Sequence, residues 1–249
     1  MEITRYINFF ATAADKQAAI DNDELNYPNL SYVEETGSLD LAETAPIDQQ
    51  LIVAKFNVTD TSNPTKILNA TSGVSKVSID DVEQLTISTG YTFSTTGEHT
   101  VKYKISGTTI GQNTFYSCPA MTEATIGNNI IIIGSSAFQD CRSLTSVTIP
   151  DSVSSINSSA FARCYGLTSV VIPSGVTRIE GGGFYIGAFG YCTALTSVTV
   201  EAITPPTINS GAFDNNASDR KFYVPAASVA TYQATSGWST YASRIQAIQ

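Results

Sequence analysis

The sequence is poor in charged residues, in histidine and in long apolar runs. Charged side chains make up 14% of its 249 residues, below the ~25% typical of soluble domains, and 59 serine and threonine residues supply polar surface instead. A single histidine, His99, excludes a multi-histidine metal centre and leaves little material for a histidine-based triad. No run of about 18 apolar residues occurs, so no membrane-spanning helix is expected.

The acidic charge is concentrated at the start of the chain. The formal net charge is −9, and residues 1–50 hold ten acidic against two basic side chains, whereas the later segments nearly balance. Because no basic patch is available for phosphate groups, nucleic-acid binding is not expected. Residues 1–46 are predicted to be an extended acidic anchoring segment that orders against a partner. Its candidate anchoring residues are Tyr6, Phe9, Phe10 and Tyr32.

A repeat of 23 residues dominates the second half of the chain. Ile110, Ile133 and Ile156 are each followed by Phe after five residues and by Cys after eight, and Ile179 opens a fourth copy. In that copy five extra residues delay Phe and Cys, so an insertion within residues 181–187 must bulge outward. Each copy continues with a Leu-x-x-Val-x-Ile pattern, which predicts a strand with Val and Ile facing inward.

One copy cannot bury its own apolar residues, so successive copies are predicted to stack with identical residues in contact. The cysteines share one repeat position, which predicts a buried ladder of free thiols and no disulfide or metal site: Cys118, Cys141, Cys164 and Cys192. Outward positions of the strands form a second row, a candidate surface for sugars or for another strand, with ordinary solvated β-surface as the alternative: Thr125, Thr148, Val171 and Thr199.

The repeat unit Ser-Ala-Phe-x-x-Cys-x-x-Leu-Thr-Ser-Val-x-Ile-Pro-x-x-Val-x-x-Ile resembles the BspA-type leucine-rich repeats of bacterial surface proteins. The resemblance covers about residues 110–213 and implies a mainly β fold, with a leucine-rich-repeat solenoid over residues 109–213. The tail, with Thr204-Pro-Pro-Thr-Ile208 and Phe222-Tyr-Val-Pro225, resembles the family's usual ending, and residues 214–249 are predicted to be the C-terminal cap. Its residues at spacings of three and four predict one face of a short C-terminal capping helix: Trp238, Tyr241, Ile245 and Ile248.

A small antiparallel β domain is predicted over residues 47–108. Its strands are expected at four alternating runs, with a turn at Asp80-Asp81 and with His99 exposed or half-exposed in the last strand: residues 51–56, 74–79, 85–87 and 99–105. Residues 90–103 resemble a module that precedes such repeats in proteins of gut bacteria and their phages. Residues 26–37 are similar to N-terminal tracts of virion proteins of those phages.

The insertion in the fourth copy supplies a second candidate binding site. Phe184, Tyr185 and Ile186 are expected on a projecting loop, where aromatic side chains make good contact anchors, and packing of the loop against the solenoid is the alternative. The acidic run at Asp21, Asp23 and Glu24 lacks the glycine and distal glutamate of a calcium loop and is interpreted as solvated charge. No catalytic, metal-binding or cofactor-binding residue is predicted.

Together these features predict a non-enzymatic structural or binding protein. The N-terminal likeness and the lack of a secretory signal favour a phage head or tail fibre, located in the virion and homo-oligomeric. It would join other virion proteins through its N-terminal segment and bind a host surface protein or glycan through its repeats. The alternative is a bacterial cell-surface adhesin whose export signal is missing, and a hydrolase carried on repeats is a third class.

Overall fold

The computed structural model describes residues 51–181, 186–209 and 211–249. Its first part is built from strands rich in β-branched and aromatic residues, whose side chains alternate between the core and solvent. The strands are β1 (Leu51–Val58), β2 (Thr65–Lys66), β3 (Val74–Ile79), β4 (Val82–Glu83), β5 (Gly90–Tyr91) and β6 (Gly97–Ile105).

Three of the four predicted runs in this part form strands. β6 pairs antiparallel with β1 on one side and with β3 on the other. Asp80 and Asp81 form the expected two-residue turn between β3 and β4, with φ values of 46° and 66°. The prediction of a strand at residues 85–87 was wrong. The edge strand β4 ends at Glu83, and the side chain of Leu85 is fully exposed, so strand pairing at residues 85–87 would bury no apolar surface.

Each repeat copy contributes one strand at its Leu-x-x-Val-x-Ile pattern. These strands are β8 (Met121–Thr125), β10 (Ser146–Thr148), β12 (Ser169–Ile172) and β14 (Ser197–Val200). Pro150 and Pro173 follow the strands of the second and third copies and end them, because proline has no N–H for the ladder. Val153 and Val176 then return the chain to the core, where both are buried.

A second parallel sheet, which the sequence pattern did not predict, runs through the isoleucine positions of the repeat. Its five strands have two residues each: β7 (Thr109–Ile110), β9 (Ile132–Ile133), β11 (Ser155–Ile156), β13 (Arg178–Ile179) and β15 (Thr207–Ile208). Every strand pairs with its equivalent in the next copy, Ile110 with Ile133 and Ile156 with Ile179 among them. Such short strands have too few residues to show an alternating pattern.

The repeated phenylalanines form a continuous buried stack from copy to copy. The ring centroids of neighbouring copies are 4.9, 5.1, 5.2 and 5.3 Å apart, and the ring planes lie within 18° of parallel. The expected stacking of Phe138 on Phe161 is therefore confirmed, and it continues past the insertion to the next copy. The stack contains Phe115, Phe138, Phe161, Phe189 and Phe213, all buried. We call residues 109–213 the repeat stack.

The strands before the repeats join the same sheet as the first two copies. β1 pairs with β8 as well as with β6, so the sheet runs in the order β10-β8-β1-β6-β3-β4. At the first copy the ring of Tyr103 packs on Phe115, with centroids 4.9 Å apart, and its hydroxyl donates to the Ile67 carbonyl. Sheet and core both cross the boundary predicted near residue 108, and Gln49–Gln249 form one compact unit.

The C-terminal end of the repeat stack differs from the predicted single helix. It contains β16 (Lys221–Val224), a 3-10 turn (Ala226–Ser228), helix α1 (Val229–Ala234), a 3-10 helix (Trp238–Arg244) and β17 (Ile245–Ala247). Trp238 and Tyr241 are buried on the helical part, but Ile245 pairs with Phe222 as a strand and Ile248 is exposed. Pairing with β16 gives the backbone of Ile245 hydrogen-bond partners and leaves its side chain buried. No helix among the described residues has the length and apolar character needed to cross a bilayer.

Candidate binding surface

The predicted outward row of four side chains is split into two pairs. Thr148 lies beside Thr125, and Thr199 lies beside Val171, each in parallel register. Thr125, Thr148 and Val171 are exposed, whereas Thr199 is half-buried. Between Thr148 and Val171, however, no ladder exists, because β10 and β12 belong to different sheets.

The split is a local loss of hydrogen bonding between the second and third copies. At the preceding junction the Thr145 N–H donates to the Thr122 carbonyl over 2.9 Å, and at the following one Thr196 N–H donates to the Thr168 carbonyl over 3.0 Å. The equivalent bond from Thr168 to Thr145 is absent from these described strands. The facing edges of β10 and β12 therefore keep backbone groups that no strand satisfies.

A groove with a volume of about 500 Å³ occupies this split. Its walls combine hydroxyl and amide groups with aliphatic side chains, and two carboxylates are also part of the lining. Such a surface can hydrogen-bond the hydroxyls of a sugar or the backbone of an extended peptide while its aliphatic carbons exclude water. The lining residues are Asn128, Ser146, Val147, Thr148, Ile149, Pro150, Asp151, Ser169, Val170, Val171, Pro173 and Glu201.

Immediately beyond the groove the second and third copies approach closely again. A Cβ atom on Gly175 would lie 1.8 Å from the carbonyl oxygen of Asp151. Only glycine, which has no Cβ, avoids this overlap. The Phe138 and Phe161 rings beneath are in normal contact. The opening is therefore confined to the strands, and the stack is not interrupted.

Sequence reasoning identified Thr148 and Val171 but missed the groove between them. The second copy reads Thr145-Ser-Val-Thr-Ile-Pro150 and the third Thr168-Ser-Val-Val-Ile-Pro173, which differ at one position. Two segments so similar contain no signal that their strands separate. Asp151 and Glu201 were also not predicted to line a binding site. Tertiary packing decides which copies face each other across an opening, and the sequence pattern does not show this.

In the insertion, Ile186 contacts the third copy through Ser159 and the rest of the fourth copy through Gly190. Its carbonyl accepts a hydrogen bond from the Ser159 hydroxyl over 2.8 Å, and its Cγ2 lies 2.4 Å from where a Cβ on Gly190 would stand. Ile186 is half-buried. Phe184 and Tyr185, the aromatic candidates of this loop, lie outside the described residues, as do the anchoring candidates Tyr6, Phe9, Phe10 and Tyr32.

The four cysteines form the predicted buried ladder of free thiols. The thiols of Cys141, Cys164 and Cys192 each donate to the carbonyl of a phenylalanine in the preceding copy, over 3.1–3.3 Å. Burial raises the pKa of Cys141 and of Cys192 to about 12 and also raises the pKa of the other two. Thiols held in this protonated state are poor nucleophiles and poor metal ligands.

The expectation that His99 is exposed or half-exposed was wrong. The side chain is buried, because the strand alternation of β6 turns it inward, against the ring of Phe93. Its Nδ1 lies 2.6 Å from Oδ2 of Asp80 and its Nε2 lies 2.9 Å from the carbonyl oxygen of Thr95. The contacts of His99 are therefore structural, and none of its partners lines the groove. Among the described residues no group of three or more His, Cys, Asp or Glu side chains is placed to hold a metal ion.

Comparison with known families gives a match over most of the described chain. The family described as "BspA type Leucine rich repeat region" matches in six copies, over residues 68–187 and 108–236. No match is found among curated proteins.

Solved structures similar to this chain include the following three. A leucine-rich repeat protein of T. pallidum is 24% identical, with a TM-score of 0.42, over 49% of this chain and 53% of its own. A leucine-rich cell surface protein of Faecalibacterium prausnitzii is 24% identical, with a TM-score of 0.41, over 47% of this chain and 28% of its own. A leucine-rich repeat protein of Bacteroides ovatus is 22% identical, with a TM-score of 0.31, over 54% and 45%. The chain thus spans about half the length of the first of these proteins and less of the other two.

Proposed function

The chain belongs to the family of BspA-type leucine-rich repeat proteins, and from this premise we propose that it is a non-enzymatic attachment protein. The repeat stack presents the binding surface, and the groove between β10 and β12 contacts a protein or glycan on another surface. The observation that carries this proposal is the split in the strand face, which exposes unpaired strand edges beside hydroxyl and aliphatic side chains.

The groove suits binding better than chemistry because of the residues that line it. Its hydroxyls belong to Ser146, Thr148 and Ser169, and no histidine or cysteine lies among the lining residues to activate them as nucleophiles. The thiols of the chain are buried and held protonated, and the His99 ring is hydrogen-bonded to Asp80. These assignments support a role in contact and not in turnover.

We place the protein on the surface of a bacterial cell, as an adhesin. The support is the family match together with the resemblance of the repeat unit to BspA-type repeats of bacterial surface proteins. The second candidate is a virion fibre of a phage, homo-oligomeric and joined to other virion proteins through its N-terminal segment. It is supported by the likeness of residues 26–37 to virion proteins.

The binding role is tested with the intact chain on a glycan array and on washed bacterial cells. The variant Val171→Arg places a charged side chain in the groove and should lower binding by about tenfold or more. Val82→Arg is the matched control, because Val82 is also an exposed strand valine but lies at the far edge of the sheet from β10. Equal binding by the two variants, or no binding to any glycan or cell, would contradict the proposal.

The location is tested by mass spectrometry of two preparations from the same culture. An adhesin is expected in the fraction released from washed, phage-free cells by surface proteolysis. A fibre is expected in purified particles and should sediment as an oligomer after mild dissociation of the particle. Detection only in particles would replace the adhesin proposal by the fibre.

A further inference from the structure

A cluster of arginine and tyrosine side chains lies on the repeat stack, outside the groove. Its members stand immediately before or after the cysteine position of successive copies, so the repeat brings them to one edge of the stack. None of them lines the groove. We call Asp140, Arg142, Arg163, Tyr165 and Tyr191 the arginine–tyrosine cluster.

Each arginine of the cluster lies over a tyrosine ring of the next copy. The Cζ atom of Arg142 is 5.8 Å from the ring centre of Tyr165, and that of Arg163 is 5.9 Å from the ring centre of Tyr191. These distances are within the range of cation–π attraction. The cluster therefore spans the second, third and fourth copies as one connected set of side chains.

One buried carboxylate holds both guanidinium groups. Oδ1 of Asp140 accepts from Nη2 and Nε of Arg142 over 3.1 and 3.3 Å, and Oδ2 lies 3.6 Å from Nη1 of Arg163. The Asp140 side chain is 6% exposed, so its carboxylate pairs with the two arginines from a buried position. Because carboxylate and ring together orient each arginine, less side-chain entropy is lost when a ligand binds.

The outer parts of the cluster remain accessible to solvent. The side chains of Arg142 and Arg163 are 63% and 40% exposed, and Tyr165 and Tyr191 are 37% and 40% exposed. A guanidinium has five N–H donors, more than Asp140 uses, so donors remain for a second carboxylate. Tyrosine and arginine are also the residue types that most often contribute strongly to binding energy.

The charge of the cluster indicates the ligand. Two arginines share one aspartate, which leaves one net positive charge, although the whole chain carries −9 and residues 110–213 contain only three basic residues. The four exposed side chains offer much less than the ~800 Å² per partner of a stable protein interface, so a single polymer chain fits better than a folded protein. Tyrosine rings can pack against the C–H faces of sugars while the arginines pair with carboxylates.

We propose that the arginine–tyrosine cluster binds a carboxylate-bearing polysaccharide. The proposal rests on the attachment function proposed above but uses a different surface from the groove. It assigns the ligand class by chemistry: acid groups for Arg142 and Arg163, and sugar ring faces for Tyr165 and Tyr191.

The test compares polygalacturonate with neutral galactan of similar length, using the intact chain in calorimetry or affinity electrophoresis. We expect binding of polygalacturonate to be at least about tenfold tighter. The double variant Arg142→Met, Arg163→Met should reduce that affinity by about tenfold or more. Arg178→Met is the matched control, because Arg178 is also an exposed arginine but lies outside the cluster, where its Nη2 is 3.0 Å from Oε1 of Glu180. Loss of this surface ion pair should leave the affinity within about twofold.

Two further variants keep the test decisive if removal of both arginines unfolds the chain by leaving Asp140 unpaired. Arg142→Lys, Arg163→Lys keeps the charges and loses the planar fork, and Tyr165→Ala, Tyr191→Ala keeps the charges and loses the rings. Each should weaken binding by several-fold while the melting temperature and circular dichroism show a folded protein.

Equal affinity for the acidic and neutral polymers would overturn the inference. So would equal losses in the Arg178→Met control and the cluster variants, or polyglutamate binding as tightly as polygalacturonate, which would indicate an acidic peptide site. If polygalacturonate does not bind but binding to cells is still lost in Val171→Arg, this inference fails and the attachment function stands. If polygalacturonate binds through the cluster and Val171→Arg has no effect on cells, the groove proposal fails instead.

Discussion

Raising the pH through the neutral range should destabilise the protein through one side chain, the buried His99. Both of its ring nitrogens face acceptor oxygens, Oδ2 of Asp80 at 2.6 Å and the carbonyl oxygen of Thr95 at 2.9 Å. A neutral imidazole has a single N–H and can donate to only one of them. The two short contacts therefore favour the protonated ring over the neutral one, in which Nε2 could accept only from the Thr95 hydroxyl at 3.4 Å. The ring packs against Phe93 with centroids 4.4 Å apart.

The direction of the effect follows from the pKa shifts of the pair. Burial by itself lowers the pKa of His99, but hydrogen bonds to Asp80 and Thr95 and the charge of Asp80 outweigh it, so the folded pKa is raised above 6.5. Burial raises the pKa of Asp80, but hydrogen bonds from His99 and Thr100 lower it to a net value below 3.8. The contribution of His99 is thus complete below about pH 6.5 and is lost as the pH rises through the folded pKa. The contribution of Asp80 is present above about pH 4 and is lost in acid.

The magnitude is limited by the exposure of one partner. A hydrogen bond to a charged group contributes about 1.5–3 kcal/mol net, and the half-exposed Asp80 carboxylate places this pair toward the lower end. We expect the free energy of unfolding to fall by ~1–2 kcal/mol between pH 6 and pH 8. The window ends there because the four thiols, whose pKa values burial raises, also reduce stability once the unfolded chain ionises them above about pH 8.5.

The assay is unusually direct because the chain contains a single histidine. NMR titration of its imidazole should give a pKa above 6.5 and two slowly exchanging ring N–H protons at pH 6. Urea unfolding at pH 6 and pH 8 measures the stability difference, and His99→Gln should remove most of it. A pKa at or below 6.5, a deprotonated ring nitrogen at pH 6, or the same pH dependence in His99→Gln would refute the reasoning.

Three further predictions concern the repeat stack. Phe161→Ala should reduce the free energy of unfolding, measured by urea titration with circular dichroism, by about 3–5 kcal/mol, because it removes a buried ring that lies between two others. Val171→Ala, at an exposed position, should change that free energy by less than about 0.5 kcal/mol. Gly175→Ala should cost at least about 1–3 kcal/mol, since its Cβ would overlap the Asp151 carbonyl; an unchanged melting temperature would contradict this. An aromatic disulfide reagent at pH 8 should label no cysteine in the native protein and all four in denaturant, and a reducing agent should leave the melting temperature unchanged.

The repeat positions show how far a pattern in sequence can predict structure. Identical residues at a constant spacing can be buried together only if the copies lie over one another, so the stacking of the phenylalanines and the burial of the thiols followed from counting. The prolines after β10 and β12 likewise predicted the strand ends, because the missing N–H acts locally. In both cases the physical cause is contained within one copy and its neighbour.

The predictions that failed depend on partners distant in sequence. Residues 85–87 alternate like a strand but have no edge to pair with, and the end of the chain forms a strand at Ile245 because β16 offers one. The alternation of β6 turns His99 inward, and its charged partner Asp80 comes from a turn 19 residues away, which its own strand does not reveal. A local pattern shows which face of an element is apolar but not which element will cover it.

By itself, the sequence determined that four copies of one unit stack around a column of phenylalanines with free cysteines beside it, and that acidic charge gathers at the start of the chain. Only the tertiary structure decided where the strand face opens. The physical reason is that stacking follows from burial, which each copy's composition already specifies. The opening between β10 and β12 instead separates two copies with nearly the same sequence, so no residue within either copy specifies it.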